Sequence, residues 1–449
     1  MKLWAKTGTE TTLLSEAIER FTTGDDVAYD LQLAPFDVQG SAAHVKMLAK
    51  TGLLSGEEAA ELLAALDAIL ADIEAGHFEI ESGVEDVHSQ VELLLTRRLG
   101  DTGKKVHAAR SRNDQVLLDM KLWLRHRLQA TATQTYELAK TLLALSEQHR
   151  DVLLPGYTHF QVAMPSSFGL WFGAYAEALA EDLFVVEAAY RTANQNPLGS
   201  AAGYGSSLPI DRRYTTELLG FEDLNWNVVY AQMTRGKAEK TAAIALAQVA
   251  ATLGRLCTDI TLYMSQNFGF LSLPSHLTTG SSIMPHKKNP DAFELMRARC
   301  NQLQSVPFAI QGVLGNLPSG YHRDLQVLKE HIMPAFRHLT DCLDLATRLL
   351  PELLVQPDIA ADPRYRYMFS VEAVNALVKK GMPFREAYRE VGRAIEAGED
   401  AWQVSGVDDR KGENQGLKDS LGHTHEGSLG NLCNAEIAEK LERAYGRVF

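Results

Sequence analysis

The chain has 449 residues and a formal net charge of −13, with 45% hydrophobic and 22% charged residues. This composition is typical of a packed globular protein, and its acidic excess argues against binding to nucleic acid or to an acidic membrane, since both need a basic surface. The N-terminal segment turns polar too early for a secretory signal. The four cysteines lack the paired spacing of a zinc site or a disulfide framework. We therefore expect a cytoplasmic protein.

Helical patterns dominate the sequence. In residues 55–75, leucine and isoleucine recur at steps of three and four, and Ser55 with Glu58 predicts a capping box. Two long stretches, 36–154 and 210–273, contain no proline, which favours extended helices. Alternating strand patterns are scarce. The sequence therefore predicts an all-α fold with short accessory strands at most.

The alanine-rich run at 241–254 is uncharged but too short to span a bilayer, so we interpret it as a buried helix at the centre of a bundle. The composition changes near two prolines at 351 and 357, where a shorter helical segment follows. We predict three domains, namely an N-terminal helical domain (1–108), a central long-helix bundle (109–356) and a small C-terminal helical domain (357–449).

The strongest polar signal is the segment TGSSIMPHKKNPD at 279–291. Asn289 can cap a helix and Pro290 suits its first position. Hydroxyl groups, lysines and backbone donors near a helix start suit an anionic substrate. A plain polar loop before a helix explains the same residues, and the segment alone leaves both interpretations open.

Three further segments precede helix-like sequence. In HAARSRNDQ (107–115), two arginines could bind carboxylates, although Ser111 and Asp114 alone predict a capped helix with solvated arginines, which we favour from this segment. In PGYTHFQ (155–161), a histidine able to exchange protons becomes catalytic only if a carboxylate orients it, and Glu294 is available. In PSGYHRDLQVLK (318–329), polar groups follow a turn, as they would in any amphipathic helix start.

Two other features are weaker. The glycines of GSAAGYG (199–205) lack the strand and spacing of a dinucleotide fingerprint and predict a tight turn. His423 and His425 have no further metal ligands in sequence and predict a polar surface turn. We expect no metal and no cofactor.

Together the segments resemble the fumarase/aspartase superfamily over most of residues 30–395. GSSIMPHKKNP is typical of the superfamily, whereas HAARSRNDQ, PGYTHFQ and GYHRDLQ are similar to its argininosuccinate lyase family. The resemblance implies a three-domain, mostly helical homotetramer with active sites built from several subunits. It implies the reversible β-elimination of argininosuccinate to fumarate and L-arginine, the last step of arginine biosynthesis.

By this resemblance, Ser281 is the base that removes a proton beside a succinyl carboxylate, and Lys287 and Asn289 help to stabilise the charge that develops. His159 lies on the acid side, directly or through water, with Glu294 orienting it. The remaining implied residues line the substrate site: Ser111, Arg112, Asn113, Thr158, Gln161, Arg235, Ser282, Tyr321, Gln326 and Lys329.

Three positions depart from the family pattern. The N-terminal tryptophan-glycine-glycine signature is absent, Asp26 stands where many relatives have serine, and Gly236-Lys237 replaces an acidic-aromatic pair. Two alternatives remain: another fumarate-releasing lyase, such as an adenylosuccinate lyase, a fumarase or an aspartase, and a catalytically silent structural protein on the same fold.

Overall fold

The computed structural model describes residues 13–399, 401 and 422–449; the N-terminal departure at residues 1–12 lies outside them. The first part of the chain forms six helices: α1 (Leu13–Thr23), α2 (Asp26–Asp30), α3 (Ala34–Lys50), α4 (Gly56–Glu74), α5 (Val87–Leu99) and α6 (Asp101–Lys104). The predicted capping box is confirmed, because Ser55 accepts from the Glu58 amide and Glu58 accepts from the Ser55 amide.

Long helices form the centre of the molecule: α7 (Arg112–Gln148), α8 (Phe168–Ala193), α11 (Lys237–Tyr263) and α14 (Leu328–Leu349). α7 packs along α8, α8 packs against α11, and α14 packs against both α7 and α11. The alanine-rich run lies in α11, where nearly every alanine is buried. Small side chains let neighbouring helices approach closely. The packing of α7, α8 and α14 around α11 confirms the predicted bundle of long helices.

α11 is the single helix in the described part of the chain that is long and apolar enough to cross a membrane. Most of that stretch is buried inside the protein. A buried core helix meets the same criteria of length and hydropathy, so α11 is weak evidence for a membrane segment.

Shorter helices complete the fold: α9 (Arg212–Leu218), α10 (Val228–Met233), α12 (Asp291–Leu303), α13 (Val306–Leu314), α15 (Ser370–Lys379), α16 (Phe384–Glu396) and α17 (Asn434–Tyr445). α15 and α16 pair around their own small apolar cluster. α17 returns to the bundle, where Tyr445 stacks on Tyr136 and Lys440 pairs with two glutamates of α8. The described chain beyond residue 357 therefore contacts the bundle through its last helix, and residues 359–369 also pack into the main core.

The accessory strands pair two by two. β1 (Leu153–Thr158) and β2 (Gln161–Ser167) form an antiparallel hairpin; β3 (Gln195–Asn196) pairs with β4 (Asp223–Leu224), and β5 (Leu271–Ser272) pairs with β6 (Leu354–Val355). The sequence did not predict the hairpin at PGYTHFQ, because Pro155 and Pro165 break the strand pattern. The structure therefore confirms the helical fold and adds one hairpin that carries three candidate site residues, Thr158, His159 and Gln161.

Candidate active site

A cleft of about 190 Å³ lies between α2, the start of α5, the start of α7 and the segment that leads into α14. Six of the substrate-site residues that the sequence indicated line it: Arg112, Asn113, Arg235, Tyr321, Gln326 and Lys329. The cleft also contains four carboxylates, those of Asp26, Asp30, Glu85 and Asp86. Cationic and anionic groups in one cleft suit a ligand that carries both carboxylates and a cationic end.

Arg112 is the first residue of α7, and its guanidinium faces the start of α5. Its Nη1 lies 3.2 Å from both Glu85 and Asp86, and its Nη2 donates to Ser89 at 2.5 Å. Burial opposes ionisation of Asp86, but the charges of His88 and Arg112 outweigh it and hold the pKa of Asp86 below its ordinary value. Glu85, Asp86 and Ser89 thereby fix the orientation of Arg112. The sequence alone did not identify these three residues.

Lys329 lies at the start of α14 and is almost fully buried. Its Nζ contacts Asp26 at 2.7 Å and Asp30 at 2.5 Å. Burial raises the pKa of Asp26 above its ordinary value, although the charge of Lys329 opposes that shift. Asp26 stands where many relatives have serine, and it adds a second carboxylate beside Lys329. The resemblance assigns this lysine to substrate binding.

Arg235 is buried between α10 and α11, where its Nε donates to Glu239 at 2.9 Å. Gly236 follows with φ +82°, and a Cβ there would lie 2.2 Å from Leu314. Gln326 donates to the Thr22 carbonyl at 2.9 Å, and Arg323, one of the polar groups that the segment 318–329 offered for substrate recognition, pairs with Glu85 at 3.2 Å. The positive φ of Gly236, beside Arg235, therefore favours glycine at this position of the Gly236-Lys237 departure.

Ser111 caps α7 as its spacing with Asp114 predicted. Its Oγ accepts from the Asn113 amide at 3.3 Å, and its amide donates to Asp114 at 2.9 Å. Buried Asp114 also accepts from the amides of Gly199 and Ala201, which fixes the predicted glycine-rich turn. The capping interpretation is correct, while Arg112 and Asn113 nevertheless face the cleft.

The serine segment forms an exposed loop, which we call the serine loop (279–290), closed by backbone pairing of Thr279 with Asn289. Ser281 Oγ accepts from the amides of Ile283 at 3.3 Å and Met284 at 3.1 Å. Two backbone donors favour a negatively charged oxygen. These amides were missed because backbone conformation, not residue type, brings them to Ser281.

The predicted helix cap at Asn289 is wrong. The side chain of Asn289 donates to Thr279 Oγ1 at 3.3 Å, and α12 begins one residue after Pro290 without a side-chain cap. Asn289 instead closes the serine loop through an isolated backbone bridge and a side-chain hydrogen bond to Thr279, and Pro290 lies just before the first helical position. Ser282 and Lys287 are exposed on the same loop.

His159 lies at the exposed tip of the hairpin β1–β2, between Thr158 and Gln161. His159 and Phe160 have φ values of +54° and +56°, as a two-residue type I′ turn requires. Non-glycine residues pay about 1 kcal/mol or more for this conformation, and such strain is often found at functional sites. The hairpin tip therefore presents His159 in a defined orientation.

Within one chain, neither the serine loop nor the hairpin tip lines the cleft. Ser281, Ser282, Lys287, Asn289, Glu294, His159, Thr158, Gln161 and Ser111 are not among the residues that line the cleft. Among the described residues, no hydrogen bond or ion pair joins His159 to Glu294, which lies 3.8 Å from Arg297. A single chain thus brings together the substrate residues of the cleft but not the base and the acid.

An ion-pair network lies directly behind the cleft. His88 Nδ1 lies 2.7 Å from Asp37 and 3.3 Å from Asp119, and all three side chains are buried. Burial opposes the charged imidazole, but both carboxylates outweigh it and raise the pKa of His88 to about 10. The three ligand atoms are close enough together for a cation, but the protonated imidazole and nearby Arg110 already supply positive charge. His88 itself lines the cleft.

The comparisons with known proteins agree with this fold. A family model described as "Lyase" matches residues 15–305. An argininosuccinate lyase of Bacteroides fragilis is 55% identical over 98% of this chain and 95% of that protein. Among solved structures, EDDS lyase in complex with formate has a TM-score of 0.71 at 25% identity, over 96% of this chain and 90% of that one.

A fumarate lyase:delta crystallin from Brucella melitensis has a TM-score of 0.73 at 20% identity, over 90% of this chain and 93% of that one, which shows the fold alone. The bundle, the cleft and the serine loop thus define a lyase of the fumarase/aspartase superfamily. Within it, the chain belongs to the argininosuccinate lyase family.

Proposed function

We propose that this protein catalyses the reversible β-elimination of L-argininosuccinate to fumarate and L-arginine, as a C–N lyase of arginine biosynthesis. The observation that carries the proposal is the cleft, which combines cations for carboxylates with four carboxylates for a guanidinium and an ammonium group. Argininosuccinate has both kinds of group. The family relationship of the whole chain supports this choice of substrate.

Ser281 acts as the base. Its oxygen takes the proton from the carbon beside a succinyl carboxylate, and the electron pair left behind spreads onto that carboxylate as an aci-carboxylate. The amides of Ile283 and Met284 support the proposal, since they donate to Ser281 Oγ and favour its anionic form. Lys287 supplies positive charge, and Asn289 holds the serine loop closed through Thr279.

His159 acts on the acid side. The C–N bond breaks as the aci-carboxylate collapses to the double bond of fumarate, and the departing nitrogen takes the bonding pair together with a proton from His159, directly or through water. The strained turn at the hairpin tip supports this role, because strained backbone is often found at functional sites. Glu294 orients His159 from a neighbouring subunit.

The substrate lies in the cleft, where Arg112, Asn113, Tyr321, Gln326 and Lys329 bind its charged ends and Arg235 contributes from the buried side. Ser111, Thr158, Gln161 and Ser282 contact the fumarate part once the segments meet. The exposed positions of the hairpin tip and of the serine loop support an active site completed by other chains. We propose a homotetramer around the central bundle, in the cytoplasm, without nucleic acid or membrane partners.

The division into domains 1–108, 109–356 and 357–449 also remains a proposal. The separate apolar cluster of α15 and α16 supports a small C-terminal unit. The contacts of α17 with α7 and α8 would then be its attachment to the bundle.

The deciding experiment is the absorbance of fumarate after addition of each candidate substrate to the pure protein. Formation of fumarate from argininosuccinate, with none from adenylosuccinate, malate or aspartate, is the expected result. Fumarate from one of the other substrates alone would establish another lyase of the superfamily. A folded protein that releases fumarate from none of them would be a silent structural member.

A further inference from the structure

The cations that line the cleft differ in where their partners lie. Arg112 pairs with Glu85 and Asp86, and Lys329 pairs with Asp26 and Asp30. Arg323 pairs with Glu85 as well. All of these carboxylates line the cleft themselves. Much of the positive charge of these three side chains is therefore balanced within the cleft, before any ligand binds.

His88 and Arg235 are arranged differently: Arg235 pairs with buried Glu239, which does not line the cleft, and its charge is balanced there. His88 lines the cleft, but its partners Asp37 and Asp119 lie behind the wall, on α3 and α7. Both carboxylates meet the same ring nitrogen, Nδ1. Among the described residues no hydrogen bond or ion pair involves Nε2, which leaves this nitrogen available to a ligand in the cleft.

The groups around His88 do not fully cancel the positive charge that it holds. Burial, together with the negative charge of Asp37, raises the pKa of Asp119. Arg110, buried nearby, adds further positive charge. A neutral imidazole would leave buried Asp37 without its charged partner, which is unfavourable in a low dielectric.

We propose that His88 is a substrate-binding residue, a buried cation that donates from Nε2 to a carboxylate of the dicarboxylate substrate beside Arg112 and Asn113. Asp37 and Asp119 are positioning residues that hold the ring by Nδ1. An imidazolium held by the Nδ1 hydrogen bond to Asp37, with Asp119 3.3 Å from the same nitrogen, presents its second N–H with little loss of side-chain freedom on binding. This inference rests on the proposed function, since it assigns the dicarboxylate half of that substrate.

The test compares His88→Gln with His44→Gln in the full-length protein. His44 is a matched control because it is equally buried on α3, yet its Nε2 contacts the Ala108 carbonyl and it does not line the cleft. Circular dichroism and thermal melting establish that both variants fold. Calorimetry then measures binding of fumarate and of arginine, which requires no turnover.

His88→Gln should weaken fumarate binding about tenfold or more, as expected for loss of one charged hydrogen bond, and leave arginine binding within about twofold. His44→Gln should leave both affinities unchanged. His88→Asn serves as a second variant if His88→Gln fails to fold. Unchanged fumarate affinity, or equal weakening of fumarate and arginine, would overturn the assignment.

Elemental analysis of the purified protein supplies an independent check. One tightly bound metal ion per chain, lost together with fumarate binding when the histidine is replaced, would identify His88 as a metal ligand and overturn the inference. Absence of argininosuccinate cleavage by the unaltered chain contradicts the proposed function instead. The binding measurements on fumarate keep these two failures distinguishable.

Discussion

Asp26 and Lys329 form a 2.7 Å ion pair inside the cleft, and Asp30 contacts the same ammonium group. One cation shared by two carboxylates leaves a local excess of negative charge. This excess suits an ammonium or guanidinium group of a ligand better than a carboxylate. The acidic residue at this position therefore favours the arginine end of the proposed substrate.

Replacing Asp26 with asparagine should weaken arginine binding about tenfold while fumarate binding changes little, because only the negative charge is removed. Lys329 keeps Asp30 as a partner, so the loss of unfolding free energy should stay below the ~3–5 kcal/mol of an orphaned buried charge. Calorimetry measures both affinities. Asp25→Asn is the matched control, since Asp25 is exposed at the same helix start. Equal affinities in the two variants would refute a recognition role for Asp26.

Replacing Ser281 with alanine should lower kcat by about 10³-fold or more, since the proposed base is removed. The exposed loop position predicts an unfolding free energy within about 0.5 kcal/mol of the unaltered protein. Ser282→Ala offers the comparison, and we expect it to raise KM more than it lowers kcat. Near-normal turnover by a verified Ser281→Ala protein would assign the base to another group.

Ser111 has two proposed roles, as cap of α7 and as substrate contact, and Ser55 allows them to be separated. Both serines form capping boxes, but Ser55 begins α4 far along the chain from the site residues. Each alanine variant should lose about 1 kcal/mol of unfolding free energy. Only Ser111→Ala should also raise KM for argininosuccinate. If the two variants have the same KM, Ser111 is a structural cap alone.

Because His44 is buried, we expect the folded protein to lose stability in acid. Burial, with the nearby charge of Arg110, lowers its pKa to about 3 in the folded chain, whereas the unfolded chain keeps an ordinary value near 6.5. The unfolded state therefore binds the proton more readily, and this contribution to stability is lost as pH falls from about 6.5 towards 3, at ~1.4 kcal/mol per pH unit. Urea unfolding of His44→Gln at fixed protein concentration should show a shallower slope between pH 6.5 and 5. Parallel slopes would contradict the buried, neutral state of His44.

The sequence predicted the helices well because their signals are local. The capping boxes at Ser55 and Ser111 and the alanine-rich α11 each depend on residues within a few turns of one another. The hairpin at residues 153–167 was missed because its turn uses His159 and Phe160 with positive φ, where the usual glycine or asparagine signal is absent.

The candidate site was only partly predictable for a related reason. The types and order of Arg112, Tyr321, Gln326 and Lys329 could be read from motifs, but their partners could not. Asp30 ends the short helix α2 and Asp86 caps α5, and both reach the cleft only through tertiary packing of these helices. Pairing at a distance of hundreds of residues, as between Asp30 and Lys329, has no local signature.

The separation of the cleft from the serine loop within one chain predicts complementation between inactive variants. Arg112 lines the cleft, whereas Ser281 lies on the exposed loop. If the two segments reach a common site from different subunits, Arg112→Ala and Ser281→Ala disable different contributions to each site. In a mixed tetramer, some sites then receive both lesions and others receive neither.

Arg112→Ala and Ser281→Ala proteins, each inactive alone, should therefore regain part of the normal turnover when they are unfolded and refolded together. Fumarate absorbance measures the activity, and native mass spectrometry establishes that mixed tetramers have formed. Each variant refolded alone is the control for incomplete inactivation. Sites free of both lesions should have an unaltered KM for argininosuccinate, because every group that contacts the substrate there is native. Mixed tetramers with no more activity than the controls would mean that the cleft and the serine loop of one site belong to the same chain.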